Sequence, residues 1–429
     1  MSTSPADRIS TDQAAAAAGS SFVVLKKNNL VERPWGGLRM LDYKGSAPLP
    51  DQKKLTGNGV GEAFEVAACA TDPESNQYPS RVLLGDNTEM SLPQLLSAAG
   101  REILGKQLFD RCGGEIPLLP KTLDIQELLS VQAHPPGNTE LYVIIDAEPG
   151  ATLRLGFRHT VDPDALRSDL LAARSQQEQL LTWLQPDVDQ FELQNILAPS
   201  FADRSGDTDT AAMQLSPLLR RREDYAPASL ALKQLKLMYW QILDMMNEIP
   251  LHAGQVIYNA TPERICAATG APVSAEVHAL GNPQQLEVMM LEIRRPGVTY
   301  RAWDNVRFPL REIDIDQTLK ALNLSGTNPA EFEVKPKPVN GEPNAMRLVA
   351  GDHFIVDRLS VTTSNAATVT AGYFHTLHCV SGDCRLTDTA GNAVLLTRGS
   401  SVIAPAGLRE YRVSTASSAE LIRVQIPPQ

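Results

Sequence analysis

Four side chains in this 429-residue sequence have the types and the spacing to share a cation: Gln132, His134 and Glu140 in "SVQAHPPGNTE", and His278 in "SAEVHALG". Gln132 and His134 are two residues apart, so on an extended strand they project from the same face. Pro135 favours extended backbone at His134, and Pro-Pro-Gly-Asn has the composition of a tight connection. The chain is therefore expected to turn there and run back from Thr139 as the partner strand, which sets the Glu140 carboxylate beside His134. An amide, a carboxylate and two neutral imidazoles suit zinc or another first-row divalent ion and exclude a thiolate site. Taken alone, a Gln-x-His pair also fits a polar strand end that binds nothing.

These residues need strands to position them. From Ser21 to about Leu155 short apolar runs such as "AFEVAACA", "SRVLLG" and "LYVIIDA" are broken by Gly, Pro and Asp, which is β-type patterning. At Asp162 the period changes: Asp162 can cap a helix and Pro163 can open it, with Leu166, Leu170, Leu180, Leu181 and Leu184 at mostly helical spacings. Leu232, Leu235, Tyr239, Ile242 and Met246 recur at threes and fours, so residues 162 to 248 read as helical. Strand-like runs resume at "GQVIYNA", "VMMLEIRR" and "VTYRAW", and a last β region covers 350 to 426. The expected fold is mainly β with a helical insertion, built on double-sheet jelly-roll barrels of the cupin kind. The expected divisions are a disordered leader at 1–20, a metal-binding cupin from 21–160 and 250–345, a helical insertion at 161–249 and a C-terminal cupin-like region at 346–429.

A net charge of -11 argues against nucleic acid as a partner, so an anionic ligand must be held by a local group of Lys and Arg. The 5 cysteines are scattered without a CxxC pair, which fits reduced thiols in a cytoplasm, and no apolar run reaches membrane-spanning length. His375 and His378 are three apart, an odd spacing for ligands on one strand face, and read as structural.

Several ordered stretches resemble the type I mannose-6-phosphate isomerases: "ERPWGG" (32–37), "VGEAFEVAA" (60–68), "LLPKTLDIQELLSVQAHPP" (118–136), "NTELYVIIDAEPGATLRLGF" (138–157), "VHALG" (277–281), "LEIRRPGVTYRAWD" (291–304) and "RGSSVIAPAGLREYRV" (398–413). The resemblance implies a zinc-dependent aldose–ketose isomerase acting on a sugar phosphate. It places the zinc ligands on Gln132, His134, Glu140 and His278, the active-site arginine on Arg301, a substrate-facing lysine on Lys121, pocket carboxylates on Glu62 and Glu292, and a pocket-lining tryptophan on Trp35. Such a reaction moves a proton between C1 and C2 while negative charge builds on the sugar oxygens. Arg301 would stabilise that charge, Glu292 is the preferred carboxylate for the proton, and Lys121 would meet the phosphate.

The sequence also departs from the family. Asn138 stands where the family carries a Lys two residues before the ligand Glu, "EIQQ" has become "EIRR", and an insertion precedes His278. Arg294 and Arg295 read as surface or sheet-edge charges, with the alternative that one of them replaces the lost Lys. A different sugar phosphate, or a non-catalytic cupin that binds a sugar or sugar phosphate, also fits. A cupin oxygenase with iron on two histidines and a carboxylate fits less well, because a Gln132 ligand leaves fewer positions for oxygen.

Overall fold

The structure, a computed structural model, describes residues 21–45, 59–84, 89–260, 275–363, 367–370 and 372–427. The leader at 1–20, most of the insertion before His278, and Cys266 lie outside these residues. Cys69, Cys112, Cys379 and Cys384 are free thiols. Among the described residues no helix is long and apolar enough to cross a membrane.

The chain is mostly β-sheet with helices. A six-stranded antiparallel sheet contains the strands Leu30–Arg33, Gly59–Phe64, Lys121–Ile125, Glu140–Ala147, Val256–Asn259 and Val288–Arg294. A five-stranded sheet contains Val131–Ala133, Thr152–Phe157, Met246–Pro250, His278–Ala279 and Tyr300–Trp303. Leu123, Ile125, Tyr142, Ile144, Val288 and Met290 of the first sheet share one apolar cluster with Leu153, Leu155 and Ile249 of the second, so the two sheets pack face to face.

The outer faces are covered differently. Leu141, Val143, Leu291 and Ile293 alternate with the inward residues and pack toward Val356, Ile422 and Val424 of the C-terminal region. Behind the five-stranded sheet, Val131, Ala133, Ala279 and Ala302 pack on helices Pro163–Trp183, Gln190–Phe201, Thr208–Leu215 and Tyr225–Asp244. Asp162 caps the first of these by accepting from the Asp164 and Ala165 amides. The helical run ends sooner than its periodicity suggests: Met246 already pairs with Phe157 as a strand residue. Two helices, Leu92–Leu104 and Lys106–Cys112, interrupt the expected β region, and the first opens on a capping box between Ser91 and Gln94.

In the C-terminal region a seven-stranded sheet faces a four-stranded one across a core that includes Leu359, Leu377, Val402, Leu421, Val369, Leu386 and Val413. His375 and His378 lie on the strand His375–Gly382 and are both buried. His375 Nε2 is 2.6 Å from the Tyr411 hydroxyl, whereas His378 is held by Thr376 and by Ser401, whose hydroxyl in turn donates to Glu65. Burial pushes the His375 ring down to about 3 and the His378 ring to about 4. In the unfolded chain both take protons from the ordinary 6.5 downward, so stability is full above that pH and is lost as pH falls toward about 4 for His378 and about 3 for His375. The melting temperature should fall on acidification through this window, and less steeply in His375→Gln. An unchanged slope in that variant would show that ring protonation is not the cause.

Candidate metal centre

Side-chain parity builds the site. On Val288–Arg294 the inward residues are Val288, Met290, Glu292 and Arg294, and on Lys121–Ile125 they are Lys121, Leu123 and Ile125. On Glu140–Ala147, Glu140 precedes the inward Tyr142 and Ile144. Each row changes from apolar to ionic at one end, and register brings those ends together: Glu292 pairs with Lys121, Arg294 with Glu140, and Gln132 with both His278 and Arg301.

His134 Nε2 lies 2.8 Å from one Glu140 oxygen and His278 Nε2 lies 3.3 Å from the other. All three residues are buried, and their ligand atoms lie within 4.8 Å of one another. His134 Nδ1 is 3.2 Å from the Val298 carbonyl and His278 Nδ1 is 2.9 Å from the Glu276 carbonyl, the positions for N–H donation. Both Nε2 lone pairs then face a carboxylate, and His134 Nε2 has no hydrogen-bond partner. Acceptors facing acceptors in a buried site call for a cation between them, and ring nitrogens anchored through Nδ1 are typical of histidine ligands. The residues present therefore fit a divalent metal. The Tyr142 hydroxyl donates to Glu140 and holds it from behind. Gln132 Nε2 is 3.0 Å from His278 Nε2 while its Oε1 accepts from the Ser130 hydroxyl, and turning the amide over would present Oε1 to the centre. Burial opposes ionisation of Glu140, but positive charge beside it, on Arg294 and on the His134 and His278 rings when they are protonated, outweighs it and holds the carboxyl well below its usual range; a metal ion would take the place of the ring protons.

The expected hairpin between His134 and Glu140 does not form. Val131–Ala133 belongs to the five-stranded sheet and Glu140–Ala147 to the six-stranded one, so the connection crosses from one wall to the other. Two consecutive prolines cannot donate to a ladder, which suits a crossing better than a hairpin. Glu140 meets His134 across the interior.

Trp35, Glu62, Lys121, Gln132, His134, Glu140, Glu292 and Arg301 line one cavity of about 100 Å³, and His278 joins them through Glu140. Lys121 Nζ is 2.7 Å from Glu74 and 3.7 Å from Glu62, and it sits over the Phe64 ring. Burial would lower the Lys121 pKa, but Glu62 and Glu74 raise it. Burial first and Glu140 second push the Glu292 carboxyl up to about 8, against the pull of Lys121 and Arg294. Arg301 donates to the Glu312 carbonyl at 3.0 Å and its Nε has no partner.

Arg294 is not a surface charge. It is 2% exposed, with Nε 3.3 Å from Glu292 and Nη1 3.5 Å from the His134 ring. It shares inward parity with Glu292, a signal present in the sequence. Arg295 instead reaches His353, and the buried Asn138 amide donates to the Arg295 carbonyl. Arg33, Glu74, Arg311 and Tyr142 also belong to the site and were not picked out by sequence reasoning; Tyr142 alone was signalled, by its i+2 spacing from Glu140.

Residues 75–150 match the family model described as phosphomannose isomerase type I, catalytic domain, so the resemblance read in the sequence holds. No curated protein matches the chain. Solved structures share its fold. One is a mannose 6-phosphate isomerase from Bacillus subtilis (18% identity, TM-score 0.58, 95% of this chain and 100% of that one). Another is a single-residue mutant of phosphomannose isomerase from Salmonella typhimurium (17% identity, TM-score 0.58, 95% of this chain and 99% of that one).

The protein stripped with a chelator and titrated with zinc should take up one ion per chain and gain thermal stability as it does. His134→Ala should lose both the stoichiometric ion and the gain. A variant that still binds one ion per chain would contradict this donor set.

Proposed function

We propose that the chain is a divergent type I phosphomannose isomerase that interconverts mannose 6-phosphate and fructose 6-phosphate through an enediolate. The observation that carries this reading is a buried carboxyl, Glu292, lining the same cavity as Arg301 and the His134–Glu140–His278 group. The family match over residues 75–150 supports it. We read the paired sheets as cupin-type jelly rolls, with a catalytic unit from 21–160 and 250–345, a helical insertion at 161–249 and a C-terminal cupin at 346–429, in a cytoplasmic protein.

Burial raises the Glu292 carboxyl above the usual range, toward the pH at which one group can both take a proton and return it. In this reading Glu292 removes the proton from one of the two adjacent carbons and delivers it to the other, while the hydroxyl proton passes from the oxygen that becomes the carbonyl to the oxygen that was the carbonyl. Arg301 directs fixed positive charge at the oxygens where negative charge develops, worth about 3 to 4 kcal/mol for a preorganised donor. Its guanidinium cannot serve as the base. Lys121, buried on the same wall, binds the phosphate and fixes the sugar's position. Zinc held by His134, Glu140, His278 and the Gln132 amide would supply Lewis acidity to the developing oxyanion. Arg294 in the cavity and an uncharged Asn138 favour, as a second reading, the same chemistry on another sugar phosphate.

The purified protein should isomerise mannose 6-phosphate or a related hexose phosphate. Glu292→Gln should cut kcat by about 10²–10⁴-fold with KM nearly unchanged, and Arg301→Ala by about 10²–10³-fold. Binding of hexose phosphates with no turnover of any would replace the isomerase by a binding protein.

A further inference from the structure

A cavity of about 100 Å³ is too small for a hexose phosphate, since small-molecule sites run to about 300–1,000 Å³. A hexose phosphate would therefore either project from the open mouth or displace part of the lining. Among the ionic groups at its mouth, Glu74 has a side chain 38% exposed, against 4% for Lys121 and 2% for Arg294. It is carried on a helix of only five residues, Pro73–Gln77, which is fastened on its far side by the Ser75 hydroxyl to the Cys69 amide.

The Glu74 carboxylate lies among three cations. One oxygen is 3.1 Å from Arg33 Nη2, and the other is 2.7 Å from Lys121 Nζ and 3.6 Å from Arg294 Nη2. Lys121 is the largest of the effects that hold this carboxyl far below its usual range, with Arg33 and Arg294 adding to it against burial. Buried cations need an anion; Glu62 also serves Arg33 and Lys121, and Glu292 serves Arg294, but Glu74 is the carboxylate that reaches all three. A carboxylate offers one charge and two oxygens. A phosphate monoester offers up to two charges and three terminal oxygens, one for each cation, and binds them more strongly.

We propose that Glu74 is an internal stand-in for the anionic group of the ligand: it keeps Arg33, Lys121 and Arg294 gathered in the free protein and swings outward when a phosphate monoester takes its place. The inference deepens the sugar-phosphate reading by naming where the phosphate sits and what guards that place. A guard of this kind weakens anion binding by the fraction of time it occupies the subsite.

The test is calorimetric titration of the full-length protein with inorganic phosphate at constant ionic strength. Glu74→Ala should bind phosphate at least about tenfold more tightly than wild type, as expected when an internal competitor is removed. Glu74→Gln, which keeps the side chain's shape and secures the test if the alanine variant misfolds, should shift the same way by less. Adding Arg33→Met to either variant should cancel the gain. Phosphate affinity unchanged or weakened in the folded variants, or a gain that survives Arg33→Met, overturns the proposal. The readout needs no turnover, so tighter phosphate binding in a protein without isomerase activity would separate this inference from the reaction, and turnover with unaltered phosphate affinity would do the reverse.

Discussion

The interior of the paired sheets is organised around three sets of lone pairs that face one another out of reach of water. Glu140 offers both oxygens toward His134 and His278, and the two rings turn their Nε2 atoms to it because their Nδ1 atoms sit against backbone carbonyls. In a buried setting this arrangement repels itself unless positive charge lies at its centre. The architecture serves that meeting. His134 directly follows the strand Val131–Ala133, which adjoins the strand of His278 in one wall, Glu140 belongs to the opposite wall, and the Pro-Pro connection carries the chain between them.

Stability and chemistry occupy different ends of the same strands. The inward rows hold Leu123, Ile125, Ile144, Val288 and Met290 at one end, where apolar burial favours the fold, at about 25 cal/mol per Å². At the other end stand Lys121, Glu140, Glu292 and Arg294, whose desolvation costs stability that their mutual pairing only partly offsets and whose value lies in being held in place. A second buried node backs this end: Lys44, Thr122 and Ser401 all bond Glu65, which ties the six-stranded sheet to the C-terminal region. A chain of net charge -11 thus gathers Arg33, Lys121, Arg294, Arg301 and Arg311 around one cavity, each set against a nearby carboxylate or carbonyl.

The parts of the site that follow strand periodicity could be read from the sequence. Gln132 and His134 share a face because they are two apart, and the position of the helices follows from the spacing that begins at Asp162. What depends on which strands pair was not legible: Glu140 was expected beside His134 through a hairpin, yet it arrives from the other sheet. Arg294 could have been placed by parity with Glu292, but a charged residue near a strand end reads as exposed until the burial of both faces is known. Glu74 gives no periodic signal at all, since it sits on a single helical turn and meets Lys121 and Arg33 only in the fold. The early helices carried a local sign, Ser91 with Gln94, that the surrounding strand-like runs concealed.

The central claim is that the lone pairs of His134, Glu140 and His278 converge on one metal ion. X-ray absorption at the zinc edge of the zinc-loaded protein measures this directly. It should show nitrogen and oxygen neighbours at about 2.0–2.1 Å with two imidazole signatures and no sulfur, reduced to one imidazole or lost in His278→Ala. Sulfur at about 2.3 Å, or a zinc environment indifferent to that substitution, would contradict it.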